Sequence, residues 1–128
     1  MKLITLSKFV DEAMLISTQD KRTIPFVIKR TFIISNVAPG TTRGKHAHKK
    51  TKQALFCIQG SVRLRLDNGI RKKTYQLTKP NKGVLIDRMV WSEMDSFSPD
   101  AILIVFASEY YTKPDYIRDY NMFLRKAR

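Results

Sequence analysis

Cysteine, histidine and acidic side chains are all scarce in this chain of 128 residues. The single cysteine, Cys57, cannot form an intramolecular disulfide, and a cytoplasmic location is the expectation that follows. Cys57 lies in the apolar run Ala-Leu-Phe-Cys-Ile and reads as a small core residue. No apolar run reaches the roughly 18 residues that a membrane span needs, and the N-terminus lacks a signal-peptide pattern. Only two histidines occur, His46 and His48, so a metal centre built on three histidines is excluded.

Acidic residues number 11 against 24 Lys and Arg, for a formal net charge of +13. Such a balance raises nucleic acid as a partner. The basic residues, however, are spread along the chain, with local clusters at Lys45 to Lys52 and Arg71 to Lys73. No aromatic residues are interleaved with them for base stacking, and no zinc-ligand or helix-turn-helix pattern accompanies them. Most read as solvated surface charge, with some available to a small polyanion such as a nucleotide diphosphate. Nucleic-acid binding is the weaker reading of the charge.

What is present is a globular composition, 43% hydrophobic, in one domain spanning residues 1–128. The opening Leu6-Ser-Lys-Phe-Val-Asp-Glu-Ala-Met-Leu fits a strand or a short helix. Ile24 to Ser35 is rich in β-branched and aromatic residues and predicts a strand that starts at Pro25. Val62, Leu64 and Leu66 alternate with Arg63 and Arg65, the period of a half-buried strand. Asp67-Asn68-Gly69 supplies a tight turn, and Ile70 to Leu77 returns as the partner strand. Ala101 to Ala107 is a continuous apolar run, as expected for a strand buried on both faces. Only the end reads as helix: Pro114 and Asp115 start it, and Tyr116, Ile117, Tyr120, Phe123 and Leu124 form one apolar stripe. Short strands separated by turns and closed by one helix predict an antiparallel sandwich or barrel.

The segment Gly40-Thr-Thr-Arg-Gly-Lys-His-Ala-His-Lys-Lys-Thr-Lys-Gln-Ala-Leu-Phe-Cys-Ile-Gln-Gly60 carries the chemistry. It resembles the first motif of a cupin barrel at every spacing, except that Gln53 stands where a metal cupin has glutamate. A neutral amide is a weak ligand for transition metals. At the spacing of the second cupin motif, counted from Gly83, the ligand position holds Met94. Half of the usual ligands are therefore absent, and neither a metal nor any other cofactor is expected. In an extended strand, residues two apart share a face, so both imidazoles are expected to project into one cavity. Imidazole titrates near neutrality, which suits it to proton transfer at cellular pH.

Several segments together resemble the WxcM-like sugar 3,4-ketoisomerases. They are Ile24-Pro-Phe-Val-Ile-Lys-Arg30, Arg43-Gly-Lys-His-Ala-His-Lys-Lys50, Val90-Trp-Ser-Glu-Met94, Ala107-Ser-Glu-Tyr-Tyr111 and Asp115-Tyr-Ile-Arg-Asp-Tyr120. The resemblance implies an all-β cupin, or jelly-roll antiparallel β-barrel, with a C-terminal α-helix. It implies a metal-free homodimer that converts a dTDP-linked 4-keto-6-deoxyglucose to its 3-keto isomer, for biosynthesis of 3-amino-deoxysugars. His46 and His48 carry over as the acid–base residues and Arg43 as the motif arginine. Arg43 is the first candidate for holding the diphosphate, with Lys45 and Lys49 beside it, and Trp91 and Glu93 are further candidates for substrate contact. The chain departs from the family at Thr31-Phe32-Ile33, where relatives commonly have a tyrosine pair. That departure keeps a binding-only cupin as the alternative.

Overall fold

In a computed structural model, which describes residues 1–18 and 22–128, the chain forms twelve strands and one α-helix among the described residues. The strands are β1 (Lys2–Thr5), β2 (Ser7–Val10), β3 (Met14–Ser17), β4 (Arg30–Ser35), β5 (Arg43–His48) and β6 (Gln53–Gln59). They continue as β7 (Val62–Asp67), β8 (Lys72–Leu77), β9 (Lys82–Ile86), β10 (Trp91–Asp95), β11 (Ile102–Ala107) and β12 (Tyr116–Ile117), before α1 (Tyr120–Ala127). Two five-stranded antiparallel sheets result, in the orders β1-β9-β6-β11-β4 and β12-β5-β10-β7-β8. Among the described residues, the strands β2 and β3 pair only with each other. The fold is a jelly-roll sandwich of the cupin kind; its two sheets face one another without closing into a continuous barrel.

The alternation in β7 decides which side faces inward. Val62, Leu64 and Leu66 are buried between the sheets with Leu55, Leu103 and Val105. Arg63 and Arg65 project outward, where both reach the Asp95 carboxylate at 2.7 Å. Each sheet is also covered on its outer face. Ile4, Leu6 and Ile24 pack over Ala54 and Phe56 of β6. Ile117 and Phe123 pack over Ala47 and Trp91 on the second sheet. Burial on both faces is why β6 and β11 read as nearly unbroken apolar runs.

Of the two readings open for the first segment, the structure takes the strand: it is the β2–β3 hairpin. Three boundaries differ from the sequence expectations. The strand expected from Pro25 starts only at Arg30, because Val27 and Ile28 are exposed and the preceding chain serves as a cover with Ile24 buried. The return strand expected from Ile70 begins at Lys72, since the Asn68 side-chain oxygen accepts from the amides of Ile70 and Arg71 and holds both in the turn. At the C-terminus, Pro114 and Asp115 belong to a 3-10 turn (Lys113–Asp115), and Tyr116 and Ile117 pair with His48 and Ala47 as a strand. The helix starts at Tyr120, capped by the Asp119 carboxylate, which accepts from the Met122 amide at 2.9 Å. Asp115 cannot act as that cap because its carboxylate is engaged elsewhere.

Candidate active site

The site is organised by a bulge in β5. Gly44 (φ +87°) and Lys45 (φ +57°) both have left-handed backbone, at the point where the β5–β10 register shifts between Ser92 and Glu93. A Cβ on Gly44 would lie 2.8 Å from the Ser92 carbonyl oxygen, so close approach as well as φ requires glycine there. The bulge aims the Gly44 carbonyl at His46, whose Nδ1 lies 3.0 Å from it. It also turns Lys45 to an exposed position.

Beyond the bulge, β5 runs regularly, and His46 and His48 share one side. Their rings meet edge-on, with centroids 5.0 Å apart and planes at 84°. His46 borders a cavity of about 320 Å³ between the sheets. His48 stands one layer behind, so the expectation that both rings line the cavity holds only for His46. Arg43, Gln53, Ser92, Met94, Tyr116 and Arg118 border the same space, and Phe32, Ile33 and Ile34 supply an apolar wall.

His48 is fixed by a carboxylate. Its Nδ1 is 2.9 Å from Asp115 Oδ2, while its Nε2 is buried with no hydrogen-bond partner. Asp115 also accepts from the Lys50 amide at 2.7 Å and from the Thr51 hydroxyl. Burial pushes the Asp115 carboxyl up, but the bonds from Thr51, His48 and Lys50 outweigh it and hold the group below the usual carboxylate range. Both imidazoles are held below their ordinary value. Burial lowers His46 to about 4, helped by His48 and the Arg118 and Arg43 guanidinium groups, against the opposing Gly44 carbonyl. Burial lowers His48 too; Asp115 opposes this and Arg30 and Arg118 reinforce it. The pair is neutral at cellular pH, with lone pairs available to accept protons.

The donor set does not fit a cupin metal centre. Gln53 and Met94, at the positions of the third and fourth ligands, both face the cavity, offering a neutral amide and a thioether. Among the described residues, no group of three or more His, Cys, Asp or Glu side chains is placed to hold a metal ion.

The candidates are not all brought together. Arg43 and His46 border the cavity and His48 adjoins it. Lys45 and Lys49 are exposed and do not line it. Trp91 and Glu93, the further candidates for substrate contact, do not border this cavity: alternation along β10 sends Ser92 and Met94 inward and these two to the opposite face. There Trp91 is buried against Tyr120 and Phe123 beneath the helix. Sequence reasoning missed Asp115, Thr51, Tyr116 and Arg118 as site residues. Tyr116 and Arg118 stand two apart, the strand spacing that would have separated them from the helix that follows.

All 128 residues match the family model described as FdtA: WxcM-like, C-terminal. The chain belongs to this WxcM-like family. It is 40% identical over 123 residues to the TDP-4-oxo-6-deoxy-alpha-D-glucose-3,4-oxoisomerase of Aneurinibacillus thermoaerophilus, covering 95% of this chain and 88% of that one. Its structure resembles a 3,4-ketoisomerase from Helicobacter canadensis at 38% identity and a TM-score of 0.93, covering 98% of this chain and 96% of the other. QdtA, a sugar 3,4-ketoisomerase of Thermoanaerobacterium thermosaccharolyticum solved in complex with TDP, shares 40% identity and a TM-score of 0.94, with 98% and 93% covered. An asparagine-for-histidine variant of QdtA has been solved with TDP-4-keto-6-deoxyglucose.

Membership of the WxcM-like family gives the local geometry a chemical frame. Three guanidinium groups, of Arg30, Arg43 and Arg118, act on the histidine pair, and two of them border the cavity. Arg118 lies over the Tyr116 ring at 4.6 Å, and Arg30 over Phe32 and Tyr111 at 5.0 and 5.6 Å. Stacked, weakly hydrated guanidinium groups suit phosphate recognition. No helix among the described residues is long and apolar enough to cross a membrane.

Proposed function

We propose that this protein is a metal-independent sugar 3,4-ketoisomerase acting on dTDP-4-keto-6-deoxyglucose, with His46 and His48 as acid–base residues. The observation that carries this reading is the pair of neutral imidazoles beside an arginine-bordered cavity in which the metal-ligand positions hold Gln53 and Met94. The names of its relatives supply the substrate class.

The chemistry needs no redox partner. The hydrogen on C3 is acidic because C3 is α to the C4 ketone. An imidazole lone pair takes that proton and an enediolate forms. The proton is then returned at C4, while the hydroxyl proton passes from the oxygen on C3 to the oxygen on C4. The C3 alcohol has become a ketone and the C4 ketone an alcohol, with atoms and electrons balanced. A well-placed general base contributes on the order of 10² to 10⁴ in rate. Arg43 and Arg118 are placed to neutralise the diphosphate or the developing oxyanion.

A homodimer belongs to the same proposal. Phe9, Val10, Met14 and Leu15 on the β2–β3 hairpin are 51% to 69% exposed in the single chain, an apolar surface that a second copy would cover. Sedimentation at micromolar concentration checks it. A cytoplasmic location and a supply of 3-keto product for 3-amino-deoxysugars complete the reading.

The test is incubation with dTDP-4-keto-6-deoxyglucose in deuterated water. Deuterium at C3 of recovered substrate and a 3-keto product are expected, both lost in the His46→Asn, His48→Asn double variant. No exchange by the wild type, or full activity in the double variant, would sink the proposal. A binding-only cupin is the second reading, carried by Phe32, Ile33 and Ile34, a cavity wall without a hydroxyl. It gives saturable dTDP binding by calorimetry with no turnover.

A further inference from the structure

The His48–Asp115 contact is made by residues 67 positions apart, and no part of the sugar chemistry requires the carboxylate itself to touch substrate. Asp115 is nonetheless buried with three donors on its two side-chain oxygens: His48 Nδ1, the Lys50 amide and the Thr51 hydroxyl. Its backbone is tied down as well, since its carbonyl accepts from the Lys49 amide at 2.8 Å. A carboxylate so placed accepts hydrogen bonds and gives none. The proton in the His48 contact therefore sits on Nδ1, and the lone pair sits on Nε2. That nitrogen is one of two buried side-chain polar atoms without a partner among the described residues. A buried acceptor left open carries a desolvation cost that a ligand or a transferred proton would relieve.

We propose that Asp115 is a positioning residue for His48: held by Thr51 and the Lys50 amide, it fixes the Nδ1–H tautomer and keeps Nε2 open to receive a proton. This rests on the acid–base role given to His48 above. When Nε2 takes the carbon-bound proton, the ring becomes imidazolium with Nδ1–H still donated to Asp115. When the proton leaves for C4, the original tautomer is restored. Asp115 gains and loses nothing.

The charged and titratable groups around His48 make the carboxylate necessary. Arg30 from β4, Arg118 from the segment after β12 and burial itself disfavour an imidazolium. His46 on the same strand and the Tyr116 ring enclose the other sides. Asp115 is the anion that opposes them.

The test is Asp115→Asn in the full chain. The amide has one acceptor where the carboxylate has two, and its NH₂ cannot accept from Nδ1, so the ring is expected to switch to Nε2–H. Ring ¹⁵N shifts of labelled protein read this without substrate: Nδ1–H in the wild type, Nε2–H or a tautomer mixture in the variant. With substrate, kcat is expected to fall on the order of 10² to 10⁴ with KM changed less than about threefold. The acid limb of kcat/KM moves to lower pH, because removing the anion makes His48 harder to protonate; a merely structural loss would not move it. Thr51→Val is the companion should Asp115→Asn not fold, and it lowers kcat several-fold at unchanged KM. Unchanged tautomer in Asp115→Asn, or wild-type kcat and pH profile in the variants, overturns the proposal. A wild type that shows the Nδ1–H tautomer but no exchange at C3 instead overturns the functional reading and leaves the positioning intact.

Discussion

Tyr116 stands directly across from His48 in the β5–β12 pairing, and its ring lies 4.4 Å from the His48 ring and 5.0 Å from the His46 ring. A two-residue strand thus holds both imidazoles from one side, while the Arg118 guanidinium and the Tyr111 ring brace the phenol ring from the other. Tyr116→Ala removes all of these contacts. Each aromatic pair is worth about 0.5 to 1.5 kcal/mol, so a loss of about 2 kcal/mol in a denaturant melt is expected. The freed imidazoles should lower kcat more than they raise KM. Tyr116→Phe keeps the ring and should melt close to the wild type. An unaltered melt for Tyr116→Ala would mean that β5 alone holds the histidines.

The bulge beneath His46 has its own signature. In Gly44→Ala the new Cβ meets the Ser92 carbonyl oxygen at a backbone conformation that L side chains rarely adopt. A cost of about 1 to 3 kcal/mol is expected in the melt. The displaced carbonyl releases His46 Nδ1, so activity should fall as well. A stable, fully active Gly44→Ala protein would show that the bulge is incidental.

The imidazoles also set a pH dependence of stability. In the unfolded chain a histidine titrates near 6.5, whereas folded His46 titrates at about 4 because burial keeps it neutral. Between these values the unfolded state binds more protons, so stability falls as pH drops from about 6.5 towards 4. His48, lowered in the same direction, adds to the slope. Thermal melts from pH 7 to pH 4 should show a progressive fall, flattened in His46→Asn. A flat wild-type profile across this window would contradict a buried, neutral pair.

Much of this was legible in the sequence, and the misses share a cause. Period-two alternation marked β7 because Val62, Leu64 and Leu66 obey it, and the apolar run from Ala101 marked β11 because both of its faces are covered. The His-x-His spacing located the strand that carries both histidines without any knowledge of its partners. What failed was anything decided by a distant contact. Tyr116 and Ile117 fit the apolar stripe of a helix, yet they are drawn into a strand by pairing with His48 and Ala47. Asp115 resembled a helix start, and only its meeting with Thr51 and His48 reveals it as part of the site. The role of Trp91 stayed open for a simpler reason: in a strand buried on both faces, composition does not say which face borders the cavity.

Arginine at the cavity rim gives a prediction on binding. Arg43 and Arg118 both border the cavity, while Lys45 and Lys49 are exposed and outside it. Hydrogen bonds to charged groups are worth about 1.5 to 3 kcal/mol, so Arg43→Ala and Arg118→Ala should each raise KM for the dTDP-sugar by about tenfold or more. Lys45→Ala and Lys49→Ala should have smaller effects that fade as salt screens them. Inhibition by dTDP measured across salt concentrations separates the two classes. Equal effects from the lysine and arginine variants would place the diphosphate outside the cavity.

The outer face of β10 gives the converse test. Trp91 is buried beneath α1, 5.3 Å from the Tyr120 ring and 5.8 Å from Phe123, and Glu93 lines the neighbouring hollow with Arg65 and Lys72. Neither side chain reaches the histidine cavity, so both should matter to the fold and not to the sugar. Trp91→Phe is expected to cost about 1 to 3 kcal/mol of stability through the volume it vacates beneath the helix. KM in Trp91→Phe and in Glu93→Gln should stay within about twofold of the wild type, provided the assay is run well below the melting temperature. A rise of tenfold or more in KM with stability retained would mean that substrate, or a partner chain carrying it, also reaches this outer hollow. The inner face of β10, with Ser92 and Met94, would then be only part of the binding surface.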